Sequence, residues 1–289
     1  MSVQAIQQRL AARNYRSEEE EDQALREITQ EVILAALGRG DFFTNALFQG
    51  GTCLRIFHGL NRFSEDLDFI LRDPDPTFQW ADHLARVERE LYAYGYRFEI
   101  VDRSNADAAV KKAFLKDDSL GKVLELQFSF RKGPLAKIRI KLEIDTNPPA
   151  ASGVALEYLD FPFLAAVSVQ DMPTLFAGKL HALLCREYIK GRDWFDFLWY
   201  AGRGTPVNYA FLSAALEQVG PWKSNGETVD IEWLAKELGG AIVRLDFEQA
   251  AKDVQRFLPA SELPSLDLWS EELFQYQLEK WLAAQRRIG

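Results

Sequence analysis

The apolar positions of the chain keep a helical period at its start, alternate in its middle and return to a helical period in its second half. From Ser17 to Leu37, Leu25, Ile28, Val32, Leu34, Ala35 and Ala36 recur at helical spacing, and Gly38 and Gly40 end the pattern. Ser17 followed by Glu18 to Glu21 predicts a capped helix start with acidic charge opposing the dipole. The run ALFQGGTCLRIFHGLNRFSEDLDFILRD reads as a short strand, a tight glycine turn, a short helix ending at Gly59, a loop, and a strand from Asp66 to Leu71. After the break at Asp73-Pro-Asp-Pro, helical periodicity runs from Phe78 to Tyr94 through Trp80, Leu84, Val87 and Leu91.

Strands are predicted at Arg97 to Val101 and Val123 to Phe130, and Lys137 to Asp145 alternates almost without fault. There Ile138, Ile140, Leu142 and Ile144 share one face, and Arg139, Lys141, Glu143 and Asp145 share the other. From Thr174 onward the pattern is helical, with helices expected over Thr174 to Tyr188, Asp193 to Ala201, Tyr209 to Val219, Ile231 to Leu238, Phe247 to Leu258 and Glu271 to Arg287. The layout is α+β: residues 1–165 build a small mixed sheet with helices, and residues 166–289 form a mainly helical domain.

Composition narrows the function classes. With 47% apolar residues the chain can bury a real core. No apolar run reaches the roughly 18 residues that span a bilayer, and the first residues lack a signal-peptide core, so a cytoplasmic protein with no membrane partner is expected. Cys53 and Cys185 lie in helical apolar patterns and read as buried thiols. A net charge of −9 argues against non-specific coating of nucleic acid, since phosphate binding relies on Lys and Arg. Local basic groups remain: Lys111, Lys112 and Lys116; Arg131, Lys132, Lys137, Arg139 and Lys141; Arg186, Lys190 and Arg192. His58, His83 and His181 lack the spacing of a zinc set.

Chemistry concentrates in the first third. Asp66 and Asp68, two apart on a strand, project to one side and could share a hard cation such as Mg2+ or Mn2+. Gly50, Gly51 and Thr52 follow a strand and open a helix, where backbone N–H groups and the Thr52 hydroxyl could cradle a triphosphate. Metal-assisted phosphoryl transfer calls for a third carboxylate, for which Glu143 and Asp145 are both candidates; either could instead pair with Arg139 or Lys141. Farther along, Lys179 and Arg186 are seven apart on one predicted helix face, and Asp193 and Asp196 share a face of the next. Asp193 could orient Lys179 or Arg192 or serve as a base, while Asp196 reads as structural.

These two motifs, GGTCLRIFHGLNRFSEDLDF and AGKLHALLCREYIKGRDWFDFLWYA, resemble the AbiEii nucleotidyltransferase toxins of type IV toxin–antitoxin and abortive-infection systems, within the DNA polymerase β-like superfamily. The likeness runs from Phe48 to Tyr200 and rests on Gly51, Thr52, Ser64, Asp66 and Asp68, then on Lys179, Arg192, Asp193 and Asp196. It implies a polymerase β-like domain whose helical partner completes the nucleotide site. It also implies transfer of a nucleoside monophosphate from a nucleoside triphosphate to a hydroxyl of a tRNA 3′ end or a protein, with a cognate antitoxin as partner. Asp66 and Asp68 with Glu143 or Asp145 would hold metal, Gly50, Gly51, Thr52, Ser64 and Arg192 would contact nucleotide, and Lys179 and Asp193 would assist. A catalytically retired nucleotide-binding or partner-binding fold, or a phosphohydrolase using the same carboxylates, are the rival readings.

Overall fold

The computed structural model describes residues 3–13, 15–101, 119–128 and 138–287. The basic residues Lys111, Lys112, Lys116, Arg131, Lys132 and Lys137 lie outside them. The chain divides into two compact units: one of Met1–His58, Ser64–Pro148 and Val154–Val169, the other of Gly59–Phe63, Pro149–Gly153 and Gln170–Gly289.

The first unit holds a sheet of seven described strands: β1 (Ala46–Gln49), β2 (Leu67–Leu71), β3 (Tyr96–Val101), β4 (Ser119–Phe128), β5 (Ile138–Asp145), β6 (Val154–Leu159) and β7 (Ala165–Gln170), in the order β3-β4-β5-β2-β1-β7-β6. β1 runs antiparallel to β2, and β2 runs parallel to β5. The alternation of β5 holds: Ile140, Leu142 and Ile144 are fully buried, whereas Arg139 is exposed and Lys141, Glu143 and Asp145 are half-buried. β6 and β7 were not anticipated. They lie between Asn147-Pro-Pro and the first long C-terminal helix, and each is only six residues long.

Helices α1 (Val3–Ala11), α2 (Glu18–Gly38), α3 (Phe42–Asn45), α4 (Gly50–His58) and α5 (Ala81–Ala93) accompany the sheet. Ser17 caps α2 by accepting the Glu20 N–H at 3.2 Å. Leu25, Ile28 and Val32 of α2 are buried, and so are its charged Glu27 and Glu31. Three arginines answer those glutamates: Arg9 and Arg13 reach Glu31 at 3.2 and 3.0 Å, Arg13 reaches Glu27 at 2.7 Å, and Arg55 of α4 reaches Glu27 at 2.9 Å. Burial, with Glu27 adding to it, outweighs Arg9 and Arg13 and pushes the Glu31 carboxyl up to about 6.

The second unit is helical: α6 (Met172–Cys185), α7 (Gly191–Gly202), α8 (Tyr209–Gln218), α9 (Ile231–Val243), α10 (Phe247–Gln255) and α11 (Glu271–Gln285). Its core is aromatic. Phe176 stacks on Tyr200 with ring centroids 4.5 Å apart, and Phe274 meets Trp194, Phe197, Phe247 and Trp269. Trp269, Phe274 and Trp281 are therefore core while Tyr276 is exposed, and Trp281, 1% exposed, satisfies its indole N–H on the Thr205 carbonyl at 2.8 Å. Cys53 and Cys185 are buried free thiols. Among the described residues no helix is long and apolar enough to cross a membrane.

Candidate active site

In the first unit the sequence motifs converge on the β1–α4 junction and the neighbouring end of β2. No separate turn precedes the helix: α4 starts at Gly50, directly after Gln49. The junction is possible because Gly50 takes φ +81°, a conformation that L side chains rarely adopt. In the antiparallel register Gln49 pairs with Asp68, which brings the helix start beside the carboxylate. The approach is close enough that a Cβ on Gly50 would stand 2.6 Å from Asp68 Oδ2.

Thr52 is fully buried and its hydroxyl donates to the backbone carbonyl of Asp66. That hydroxyl is thus engaged in tying the helix to the carboxylate strand. What α4 can offer a ligand is the backbone N–H groups of its first turn, which a helix does not pair internally. Ser64 is buried as well, and Gln30 Nε2 donates to the Ser64 and Glu65 carbonyls at 3.1 and 2.9 Å, fixing the loop that leads into Asp66. Asp66 precedes β2, and both Asp66 and Asp68 are half-buried, while Leu67, Phe69 and Leu71 lie in the core.

The parallel register of β2 and β5 sets Asp68 beside Glu143, and Ile70 beside Asp145. Glu143 forms an ion pair with Lys141, and Asp145 Oδ1 accepts the Asn147 N–H at 3.0 Å at the end of the strand. Asp66, Asp68 and Glu143 are oxygen donors of the kind hard divalent cations take. Among the described residues, however, no three His, Cys, Asp or Glu side chains converge as a metal site.

In the second unit the later motif forms a charged cluster. Lys179 Nζ donates to Asp193 Oδ1 at 2.7 Å and reaches Asp196 Oδ2 at 2.9 Å. α6 ends at Cys185, three residues before the expected end, so Arg186 is the C-cap in extended conformation, yet it still pairs with the other oxygen of Asp193. Arg192 packs 4.1 Å from the Phe257 ring centroid, and its Nε is buried without a hydrogen-bond partner among the described residues.

Burial disfavours the charge on Asp193, but Lys179, Arg186 and Lys190 together outweigh it and hold the carboxyl well below its ordinary range. Asp196 behaves likewise: burial opposes its charge, and Arg62 and Lys179 prevail. On Lys179, burial is overcome by Asp193 and Asp196, and its ammonium is held above its ordinary value.

A family model for the AbiEii nucleotidyl transferase toxins of type IV toxin–antitoxin systems matches residues 32–279, which takes in both motifs and the strand carrying Glu143. The chain belongs to the AbiEii family. It is a nucleotidyltransferase toxin of the type IV class. Two solved Helicobacter pylori structures share the AbiEii fold seen here. One, described as a candidate nucleotidyltransferase, is 19% identical with a TM-score of 0.53, the match covering 94% of this chain and 97% of that one. The other, JHP933, is 17% identical with a TM-score of 0.53, and 94% of each chain is covered. No curated protein matches.

One residue of this AbiEii chain escaped the sequence reading. Arg62, in the loop between α4 and β2, is buried and holds Asp196 through two bonds, Nε to Oδ1 at 2.6 Å and Nη2 to Oδ2 at 2.7 Å. A signal existed. Asp193 and Asp196 sit among Trp194, Phe195 and Phe197, so both carboxylates were bound to be buried, and two buried carboxylates ask for more cations than Lys179 alone.

Proposed function

We propose that the enzyme uses Asp66, Asp68 and Glu143 as its metal-holding set and α4 as its triphosphate cradle, moving a nucleoside monophosphate onto a hydroxyl of a tRNA 3′ end or a protein. The observation that carries this is the Gly50–Asp68 approach, which joins a helix N-terminus to a carboxylate strand with no side chain between them. Phosphate is attracted to such a terminus and a divalent cation to such carboxylates, so the two halves of a metal–triphosphate complex find partners side by side.

Register favours Glu143 over Asp145 as the third carboxylate. Glu143 lies beside Asp68, whereas Asp145 lies beside Ile70 and closes the turn to Asn147. The three side chains do not converge as they stand, so Glu143 would have to leave its Lys141 partner and reorient to share a cation with Asp66 and Asp68. Magnesium or manganese, when bound, offsets the triphosphate charge and favours the ionised acceptor hydroxyl. The residues themselves bind and orient: Gly50, Gly51 and Thr52 present backbone N–H groups, and the Thr52 hydroxyl and Gln30 hold the loop that carries Ser64 and Asp66. The acceptor oxygen bonds to the α-phosphorus, the bond from that phosphorus to the β-phosphate oxygen breaks, and pyrophosphate leaves. The hydroxyl proton passes to a carboxylate of the set.

Asp193 is better suited to position Lys179 and Arg186 than to act as a base, since a carboxyl held that far below its ordinary range takes a proton poorly. An antitoxin encoded alongside is the expected regulatory partner.

The test is incubation with each of the four α-labelled nucleoside triphosphates, magnesium, and total RNA or cell protein, beside an Asp68→Ala variant. Label transferred to an acceptor by the parent and not the variant is the expected result. Labelled free nucleotide alone would indicate hydrolysis, and absence of turnover with every nucleotide would sink the reading.

A further inference from the structure

The sheet of the first unit ends on β6, and among the described residues no further strand lies beyond it and no turn or loop backbone hydrogen bond engages Val154 to Leu159. An edge strand presents a row of backbone N–H and C=O groups on which another strand can build. Along β6 the side chains alternate: Ala155 and Glu157 are half-buried and Leu159 is buried, whereas Val154, Leu156 and Tyr158 are 47%, 53% and 61% exposed. The inner residues face α4, since burial and then the charge of Glu157 hold the Cys53 thiol above its ordinary value.

The devices that ordinarily protect such an edge, a lysine or a proline within the strand, are missing from VALEYL, and its single charge, Glu157, lies on the other face. Contiguous exposed apolar side chains of this kind mark a surface that another molecule covers. The spacing says which. When two copies of β6 pair antiparallel about Leu156, Leu156 stands opposite its own counterpart and Val154 opposite Tyr158, so the stripe continues unbroken across the dyad. On the inner face Glu157 then stands opposite Ala155, and no like charges oppose each other although each chain carries a net charge of −9. A shift by one residue would turn the stripe of one copy toward the inner face of the other.

We propose that β6 is a self-pairing edge: two copies of the chain join antiparallel about Leu156 into one continuous sheet, with Val154, Leu156 and Tyr158 of each copy packed across the junction. The Val154–Tyr158 contact, made once on each side of the dyad, and the Leu156–Leu156 contact between them supply cross-strand attraction beside the backbone ladder. A six-residue strand is short for a permanent interface, so the dimer forms as concentration rises.

Sedimentation velocity of the full chain over a series of concentrations tests it. The parent should pass from monomer to dimer, and Leu156→Lys, which sets two ammonium groups face to face on the dyad, should raise the dimer Kd at least about tenfold. Thermal unfolding of that variant as a dilute monomer should match the parent, because the side chain is exposed there. Register is read with Val154→Lys and Tyr158→Glu: each alone should weaken the dimer, and the chain carrying both should recover it, since each lysine then meets a glutamate of the other copy. A parent that stays monomeric at every concentration overturns the proposal, and if that monomer sediments with phosphatidylglycerol vesicles the stripe serves a lipid surface instead. A dimer that survives Leu156→Lys unchanged is built on another surface and overturns it as well. Failure of the double variant to recover overturns the pairing about Leu156.

Discussion

Gly50 and Asp68 are packed backbone to carboxylate: the Gly50 Cα has no room for a methyl group on the side where Asp68 Oδ2 lies. Two constraints meet at this position, a left-handed φ and the close approach. Gly50→Ala should therefore cost about 1–2 kcal/mol from the backbone alone. The larger loss should be in transfer activity, at least about tenfold, because the methyl group displaces a carboxylate placed in the metal-holding set. Thermal unfolding and labelled-nucleotide transfer, measured on the same preparation, check the split; a variant of full activity would separate this junction from the chemistry.

Thr52 gives a second handle on the same strand. Thr52→Val keeps the shape and removes the hydroxyl that donates to the Asp66 carbonyl, leaving that acceptor buried without its donor. The expected loss is about 1–3 kcal/mol of stability, read from urea unfolding, with Thr52→Ser recovering most of it.

The Arg62–Asp196 pair predicts strong coupling. Both side chains are almost completely buried. Asp196→Leu strands the Arg62 charge and should cost about 3–5 kcal/mol, whereas Arg62→Met leaves Asp196 with Lys179 alone and should cost less. The double variant should be less destabilised than the sum of the singles by at least about 1 kcal/mol in a denaturation cycle. Strict additivity would mean that the two residues act independently.

Glu31 predicts a pH dependence of opposite sign to that of Asp193. Its carboxyl rises from 4.5 to about 6 on folding, so the folded chain binds the proton more tightly than the unfolded one. Its contribution is fully present below about pH 4.5 and is lost as pH rises through 6, on the order of 2 kcal/mol in all. Asp193 and Asp196, held low by their cations, stabilise above the ordinary carboxylate range and lose that contribution as the solution becomes strongly acidic. Replacing Glu31 with Gln should flatten the fall in unfolding midpoint between pH 4.5 and 6. An unaltered pH profile in that variant would place the titration elsewhere.

The legible part of this molecule was the part written in periodicity. α2, α5, β5 and the helices from α6 onward carry regular apolar spacing, and their ends lie within about three residues of the expected ones, except that α9 runs on from the expected Leu238 to Val243. β6 and β7 were not legible: six-residue strands flanked by prolines leave too few alternations to distinguish them from loop. The carboxylates and glycines were visible as residue types, but their pairing was not. That Asp68 lies beside Glu143 depends on a parallel register between strands some seventy residues apart, which no local pattern encodes. Arg62 was hidden for a related reason, since its burial is decided by Asp196 far downstream.

The segment Gly59–Phe63 belongs with the helices, although the chain on either side of it belongs with the sheet. It lies between the glycines and the aspartates of one signature motif, and it contributes Arg62. A gene truncated after residue 165 would keep that arginine and discard the aspartate that neutralises it. Replacing the helical part by a foreign counterpart would therefore leave Arg62 buried without its carboxylate unless the five residues Gly59–Phe63 are exchanged with it.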